Sequence, residues 1–182
     1  MRDRQLFQRL GVVHRPDCSL FADGPLPQPA PDPDVLAQVL GTEEAALYAK
    51  ACHPVFEDLR RIVGQIAGLM ILAQLTQSSE VADLEELSSC QRRWKDCADR
   101  LRALRAPSAL AGHFEQLSAT HAGCGRALSE FQLLRASGDN EAIFDRIAAQ
   151  VSRAYAHLSA ATSQKAGLEM VDLTHACCSC GR

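Results

Sequence analysis

The segment LSSCQRRWKDCADRLRAL (residues 87–104) decides the fold class, because its apolar side chains recur at steps of three and four residues. That spacing places them on one face of an α-helix, with the charged side chains on the opposite face. The repeat resembles the seam along which helices pack in coiled coils. The seam consists of Leu87, Cys90, Trp94, Cys97, Leu101 and Leu104. We therefore expect a helix over about 80–105 that packs against other helices.

Three further segments show the same periodicity, at about 43–77, 107–136 and 140–170, with breaks at QSSE, RAPS and SGDN. No segment alternates apolar and polar residues as a strand does. The predicted seam of the first helix is Tyr48, Cys52, Val55, Phe56, Leu59, Ile62, Val63, Ile66 and Met70. The predicted seam of the third helix is Leu110, Phe114, Leu117, His121, Cys124, Leu128 and Phe131. The predicted seam of the fourth helix is Ile143, Ile147, Val151, Ala154, Leu158 and Ala161.

The short connections between these helices favour antiparallel neighbours. We predict an all-α fold, an up-down-up-down antiparallel four-helix bundle over residues 42–173. Residues 1–41 are predicted to form an extended, mostly irregular arm, because six of the eight prolines fall within residues 11–35. Residues 174–182 form a Cys-rich C-terminal tail.

Helix-end signals refine these boundaries. Thr42 is expected to cap the first helix, Pro107 suits the first turn of the third helix, and Asp139 is expected to cap the fourth. Pro54 interrupts the first helix, so a kink or a split is expected near His53.

Composition excludes several functional classes. The net charge is −3, from 19 basic and 22 acidic residues, and no basic block indicates nucleic-acid binding. The most apolar stretch, residues 62–75, is shorter than the about 20 residues that span a bilayer, so no membrane association is expected. The N-terminus lacks the apolar core of a signal peptide. We therefore expect a soluble cytoplasmic protein of unknown oligomeric state.

The chain has eight cysteines, which a reducing cytosol would not join into a disulfide framework. Some are expected to pack as small apolar residues, Cys97 among them, and the surplus to bind metal or carry thiol chemistry. The strongest candidates crowd the tail: His175, Cys177, Cys178 and Cys180. Thiolate and imidazole are ligands of zinc, copper and iron-type centres. The alternative for this tail is an accidental Cys-rich end.

Counting residues from the turns between antiparallel helices predicts which residues share a level of the bundle. Cys52 and His53 are expected at the end where the fourth helix stops and the tail begins, so they could join a tail metal site. Gly64 and Gly68 are expected to form a notch for Trp94. A weaker metal candidate is Cys90 with His121 and Cys124 at mid-bundle, and another is His14 with Cys18 in the arm. Simple core packing remains the alternative for the mid-bundle residues.

Three functions remain open. The first is a metal-binding or thiol/redox protein that acts through the C-terminal His/Cys cluster. The second is a non-catalytic adaptor or accessory subunit that contacts a protein partner through the arm and tail. The third is an enzyme using the mid-bundle cluster, although no catalytic dyad and no phosphate-binding glycine loop is present.

Overall fold

The computed structural model describes residues 40–76, 85–134 and 140–170. Four α-helices account for most of these residues, and the predicted all-α class is confirmed. They are α1 (Glu43–Thr76), α2 (Glu85–Ala103), α3 (Ala111–Phe131) and α4 (Glu141–Ala160). No helix within the described ranges is long and apolar enough to cross a membrane. The predicted N-terminal arm and Cys-rich tail lie outside the described residues.

The first helix begins where the sequence predicts. The Thr42 hydroxyl accepts a hydrogen bond from the backbone N–H of Ala45 at 3.3 Å, and Glu43 and Glu44 occupy the first turn. Both features favour a helix N-terminus, since they satisfy a free N–H group and complement the helix dipole. The expected split near His53 is wrong, because α1 runs unbroken through Pro54.

The fourth helix is ten residues shorter than predicted and ends at Ala160. The chain then makes a tight hairpin in which Ser163 and Leu168 exchange backbone hydrogen bonds of 2.8 and 2.9 Å. Gly167 adopts a left-handed conformation at φ 68°, which a residue without a Cβ tolerates. At the other end, α4 starts after Asn140, whereas the predicted cap Asp139 lies outside the described residues.

The third helix starts with a 3₁₀ turn, Ser108–Leu110, directly after Pro107, and it ends at Phe131 instead of residue 136. The turn is closed by a 2.8 Å bond from the Leu110 N–H to the Pro107 carbonyl. Pro107 therefore opens this segment, but one turn before the regular α-helix.

All nine predicted seam residues of α1 are buried, and so are the α2 seam residues except Trp94, which is half-buried. The α3 seam is only partly right. Phe114 and His121 are half-buried, and three polar residues that no seam predicted are buried instead. These are His113, Gln116 and Thr120. The face of α3 that meets the core is thus rotated from the predicted one.

The predicted seating of Trp94 is wrong. Nothing lies within 4 Å of where a Cβ would project from Gly64 or Gly68, so these glycines hold no indole. Trp94 instead packs on Gly125 of α3, where an added Cβ would stand 2.6 Å from the indole. The Trp94 ring therefore packs against a glycine of α3, whereas the sequence predicted that it would pack against glycines of α1.

Candidate functional site

A relay of buried polar side chains joins α1, α3 and the end of α4. The Tyr48 hydroxyl lies 3.0 Å from Nδ1 of His113, and Nε2 of His113 lies 3.1 Å from the Ala161 carbonyl. Because a carbonyl can only accept, Nε2 carries the hydrogen and Nδ1 accepts from Tyr48. The Cys52 thiol lies close to the Tyr48 hydroxyl. The relay therefore holds His113 neutral and leaves each member with a partner.

The titration of these groups follows from their burial. Desolvation lowers the pKa of His113 below its ordinary value, although the bond to Ala161 opposes the shift. The pKa of Tyr48 is raised, first by desolvation and then by the neighbouring Cys52 thiol. A cavity of about 20 Å³ beside the Tyr48 and His113 rings has room for about one water molecule. The relay is closed, and it resembles a structural network more than a substrate site.

The outer surface of the same bundle end carries an open groove of about 440 Å³. His53 of α1 and Lys165 of the C-terminal hairpin face each other across it, with Leu40 and Lys50 nearby. His53 is exposed, whereas its neighbour Cys52 is fully buried. The two side chains therefore lie on different faces of α1, and only His53 is open to the groove.

The chain leaves the described region close to this groove. The Arg60 guanidinium donates to the Glu169 carbonyl at 3.3 Å, so residue 169 lies against α1 only two helical turns from His53. The described residues end at Met170, five positions before the first predicted tail ligand. Outside the described residues lie the predicted ligands His175, Cys177, Cys178 and Cys180, and also His14 and Cys18.

The mid-bundle residues are brought together, but in different roles. His121 stacks on Trp94 at 4.8 Å between ring centroids, and its Nε2 donates to the Trp94 carbonyl at 3.0 Å. The Trp94 Nε1–H returns a bond to the His121 carbonyl at 2.9 Å. This reciprocal pair commits Nε2 of His121 to a backbone carbonyl.

The four cysteines within the described residues are all free and buried. Desolvation raises the pKa of Cys52 and Cys90 to about 11 and that of Cys97 to about 12. The pKa of Cys124 is raised further, by desolvation and by the nearby Cys90 and Cys97. Since metals and electrophiles react with the thiolate, these four thiols are inert at neutral pH. Across the described ranges, no three His, Cys, Asp or Glu side chains are grouped to hold a metal ion.

Sequence reasoning missed Tyr48 and His113 as partners. A signal existed, since Leu110, His113, Leu117, Thr120 and Cys124 recur at steps of three and four. A second possible face of α3, which includes Phe114 and His121, is more apolar. Choosing the buried face by hydrophobicity alone therefore gives the wrong one.

Comparison with known proteins assigns no family and no activity to this arrangement. The chain matches no protein-family model, no curated protein sequence and no solved structure.

Proposed function

We propose that the protein binds a soft or borderline metal ion through His175, Cys177, Cys178 and Cys180, with His53 as a further ligand. The four helices would form an up-down-up-down antiparallel bundle that carries this site at one end, in a soluble cytoplasmic protein. The antiparallel order is supported by contacts that run in reverse along neighbouring helices. Asp58 and Gln65 of α1 contact Arg100 and Arg93 of α2 in that order.

The observation that carries the proposal is the division of the cysteines. Every cysteine in the described residues is buried with a raised pKa, which leaves Cys18 and the three tail cysteines as the candidates for metal binding. A metal ion would deprotonate the tail thiols on binding, because the thiolate is the ligand. His53 is an exposed imidazole at the groove next to which the tail begins.

The length of the chain permits this site. Cys177 is seven positions after Met170, and an extended chain spans about 3.4 Å per position, or roughly 24 Å. Along α1, seven residues from Arg60 back to His53 cover only about 10 Å. The tail can therefore reach His53 with several residues to spare.

The test is elemental analysis of the untagged protein, purified without oxygen. We expect about one equivalent of zinc, copper or iron in the wild type and none when Cys177, Cys178 and Cys180 are changed together to Ser. His53→Gln should weaken metal affinity at least tenfold, because one ligand is lost. His157→Gln is the matched control, since His157 lies on another face of the bundle, and it should retain the metal. A metal-free wild type, or a triple variant with unchanged metal content, would refute the proposal.

The adaptor alternative is favoured by one different observation. Ile71 and Leu75 are 37% and 43% exposed, and they continue the face of α1 that carries Gly64 and Gly68. Spacings of four, three and four residues align these positions, and small residues let another chain approach closely. A metal-free protein that purifies in a stable complex with another protein would favour this second function.

A further inference from the structure

The outer edge between α3 and α4 is built as a ladder of paired side chains. Gln116 faces His157, with its Oε1 2.7 Å from Nδ1 of the ring. Ten residues further along α3, the Arg126 Nε–H donates to Gln150 Oε1 at 2.8 Å. The last rung is the ion pair of Glu130 with Arg146, at 2.9 Å. Residue numbers rise on α3 as they fall on α4, so the rungs are successive levels of one antiparallel pair.

Arg153 stands on this edge between the first two rungs and has no partner opposite. It is three residues from Gln150 and four from His157, which places all three on one face of α4. The register assigns Thr120 and Gly123 of α3 to its level. The buried Thr120 hydroxyl is directed to the Gln116 and Ala154 carbonyls, and Gly123 has no side chain. Gly123 is so closely packed that an added Cβ would lie 3.2 Å from that of Ala154.

The Arg153 Nε atom is buried and forms no hydrogen bond. A buried donor without a partner costs about 1–3 kcal/mol, and more when it is charged, so such an atom commonly marks a missing water or ion. Within the described residues, no acceptor of α3 is hydrogen-bonded to it.

The positive charge along this part of the edge is also unbalanced. Arg146 has Glu130 as its counter-ion, but in the part of the chain that the structure describes no Asp or Glu forms an ion pair with Arg126 or Arg153. Both arginines are near enough to His157 to lower its pKa, after the larger effect of desolvation. Three cationic or potentially cationic side chains therefore lie around the level at which the ladder lacks a rung, which we call the gap.

The donors at this gap have a defined geometry. Arg126 Nε–H is committed to Gln150, so the Arg126 terminal nitrogens remain as donors for a ligand. His157 Nδ1–H is committed to Gln116, so Nε2 of the neutral ring accepts a hydrogen from a protonated phosphate oxygen, and it donates only when the ring is protonated. Guanidinium groups match the oxygens of phosphate in bidentate geometry. We propose that the α3–α4 edge binds an anion of the phosphate class, held by Arg153 from within the gap and by Arg126 and His157 from its two ends.

The experiment is isothermal titration calorimetry of the full-length protein with inorganic phosphate, at constant ionic strength set with chloride. We expect saturable binding with a Kd on the order of 1 mM. Arg153→Gln should weaken it at least fivefold. Arg126→Gln, at an exposed position that carries no core packing, should weaken it similarly and serves if Arg153→Gln fails to fold. Arg102→Gln is the control, because Arg102 is an exposed arginine on α2, paired with Asp99, and it should bind phosphate as the wild type does.

A second titration with phenyl phosphate identifies the source of the phosphate group. If phenyl phosphate binds more tightly than inorganic phosphate, the ligand is a phosphomonoester. If the two bind equally, the ligand is free phosphate. Either result supports the site. Absence of saturable binding in the wild type would overturn the proposal. Equal weakening by Arg102→Gln would also overturn it, because binding would then follow net charge and not the gap.

Discussion

Tyr48 and Tyr155 are the two tyrosines of the chain, and their hydroxyl groups have contrasting environments. The Tyr48 hydroxyl is hydrogen-bonded to Nδ1 of His113 and lies close to the buried Cys52 thiol. Tyr155 packs its ring against the core from a half-buried position. Comparing the two residues therefore separates the stability that comes from the Tyr48 hydrogen bond from the stability that comes from a packed tyrosine ring.

Tyr48→Phe removes one hydroxyl and leaves Nδ1 of His113 without its donor. Because a buried polar atom without a partner costs about 1–3 kcal/mol, we expect the free energy of unfolding to fall by that amount. Tyr155→Phe should change it by less than about 0.5 kcal/mol, as surface substitutions usually do. Urea denaturation followed by circular dichroism measures both. Equal effects of the two substitutions would contradict the assigned role of the relay.

At the scale of the elements, the glycines show how two helices acquire different surfaces. Gly64 and Gly68 leave an open strip on α1, whereas Gly125 admits Trp94 to the surface of α3. All three lie within helices, where glycine is less stable than alanine by about 1 kcal/mol. Of these three, only Gly125 lies so close to another described residue that an added Cβ would clash with it.

Substitution to alanine should therefore act in opposite directions. Gly125→Ala puts a Cβ 2.6 Å from the Trp94 indole, so we expect a loss of stability of about 1–3 kcal/mol from overpacking. Gly68→Ala meets nothing within 4 Å and should stabilise the protein by about 0.5–1 kcal/mol through helix propensity. Thermal unfolding of both variants beside the wild type measures the difference. Destabilisation by Gly68→Ala would show that another segment or chain occupies the strip.

The helices themselves were predictable because apolar periodicity, caps and breaks act locally. The nine-residue seam of α1 and the Thr42 cap follow from the spacing of side chains and from one hydroxyl. The end of α4 was not predictable in this way. It depends on mutual hydrogen bonds between Ser163 and Leu168, and the preceding apolar pattern continues past that point.

The candidate site was predictable only in part, because its geometry depends on which of two α3 faces meets the core. His113 and Phe114 are neighbours that point about 100° apart, and the more hydrophobic of the two is not the one that is buried. The choice is made by partners on other elements, Tyr48 and the Ala161 carbonyl. A single sequence does not encode that pairing in any local pattern.

At the scale of the whole molecule, buried neutral histidine couples folding to pH. The folded-state pKa of His113 lies below the unfolded-state value of about 6.5, so between these values the unfolded chain binds a proton that the folded chain does not. Stability then rises with pH in this window, and it is lost as the pH falls below about 6.5. His157 acts in the same direction, with a smaller effect because it is more exposed.

We therefore expect the free energy of unfolding to decrease from pH 7 to pH 5. His113 contributes up to about 1.4 kcal/mol per pH unit, at pH values where its ring is protonated in the unfolded state and neutral in the folded state. His113→Gln removes the titrating group, so its stability should depend less steeply on pH in this range, although its stability at pH 7 also falls through lost hydrogen bonds. Urea titrations at four pH values between 5 and 7.5 give both slopes. Parallel slopes for wild type and variant would contradict the neutral, buried state of His113.

The double variant His113→Gln, His157→Gln tests the contribution of the α3–α4 edge. If the pH dependence that remains in His113→Gln disappears in the double variant, that remaining dependence belongs to His157. Phosphate should reduce the same dependence in His113→Gln, because it stabilises the protonated His157 ring.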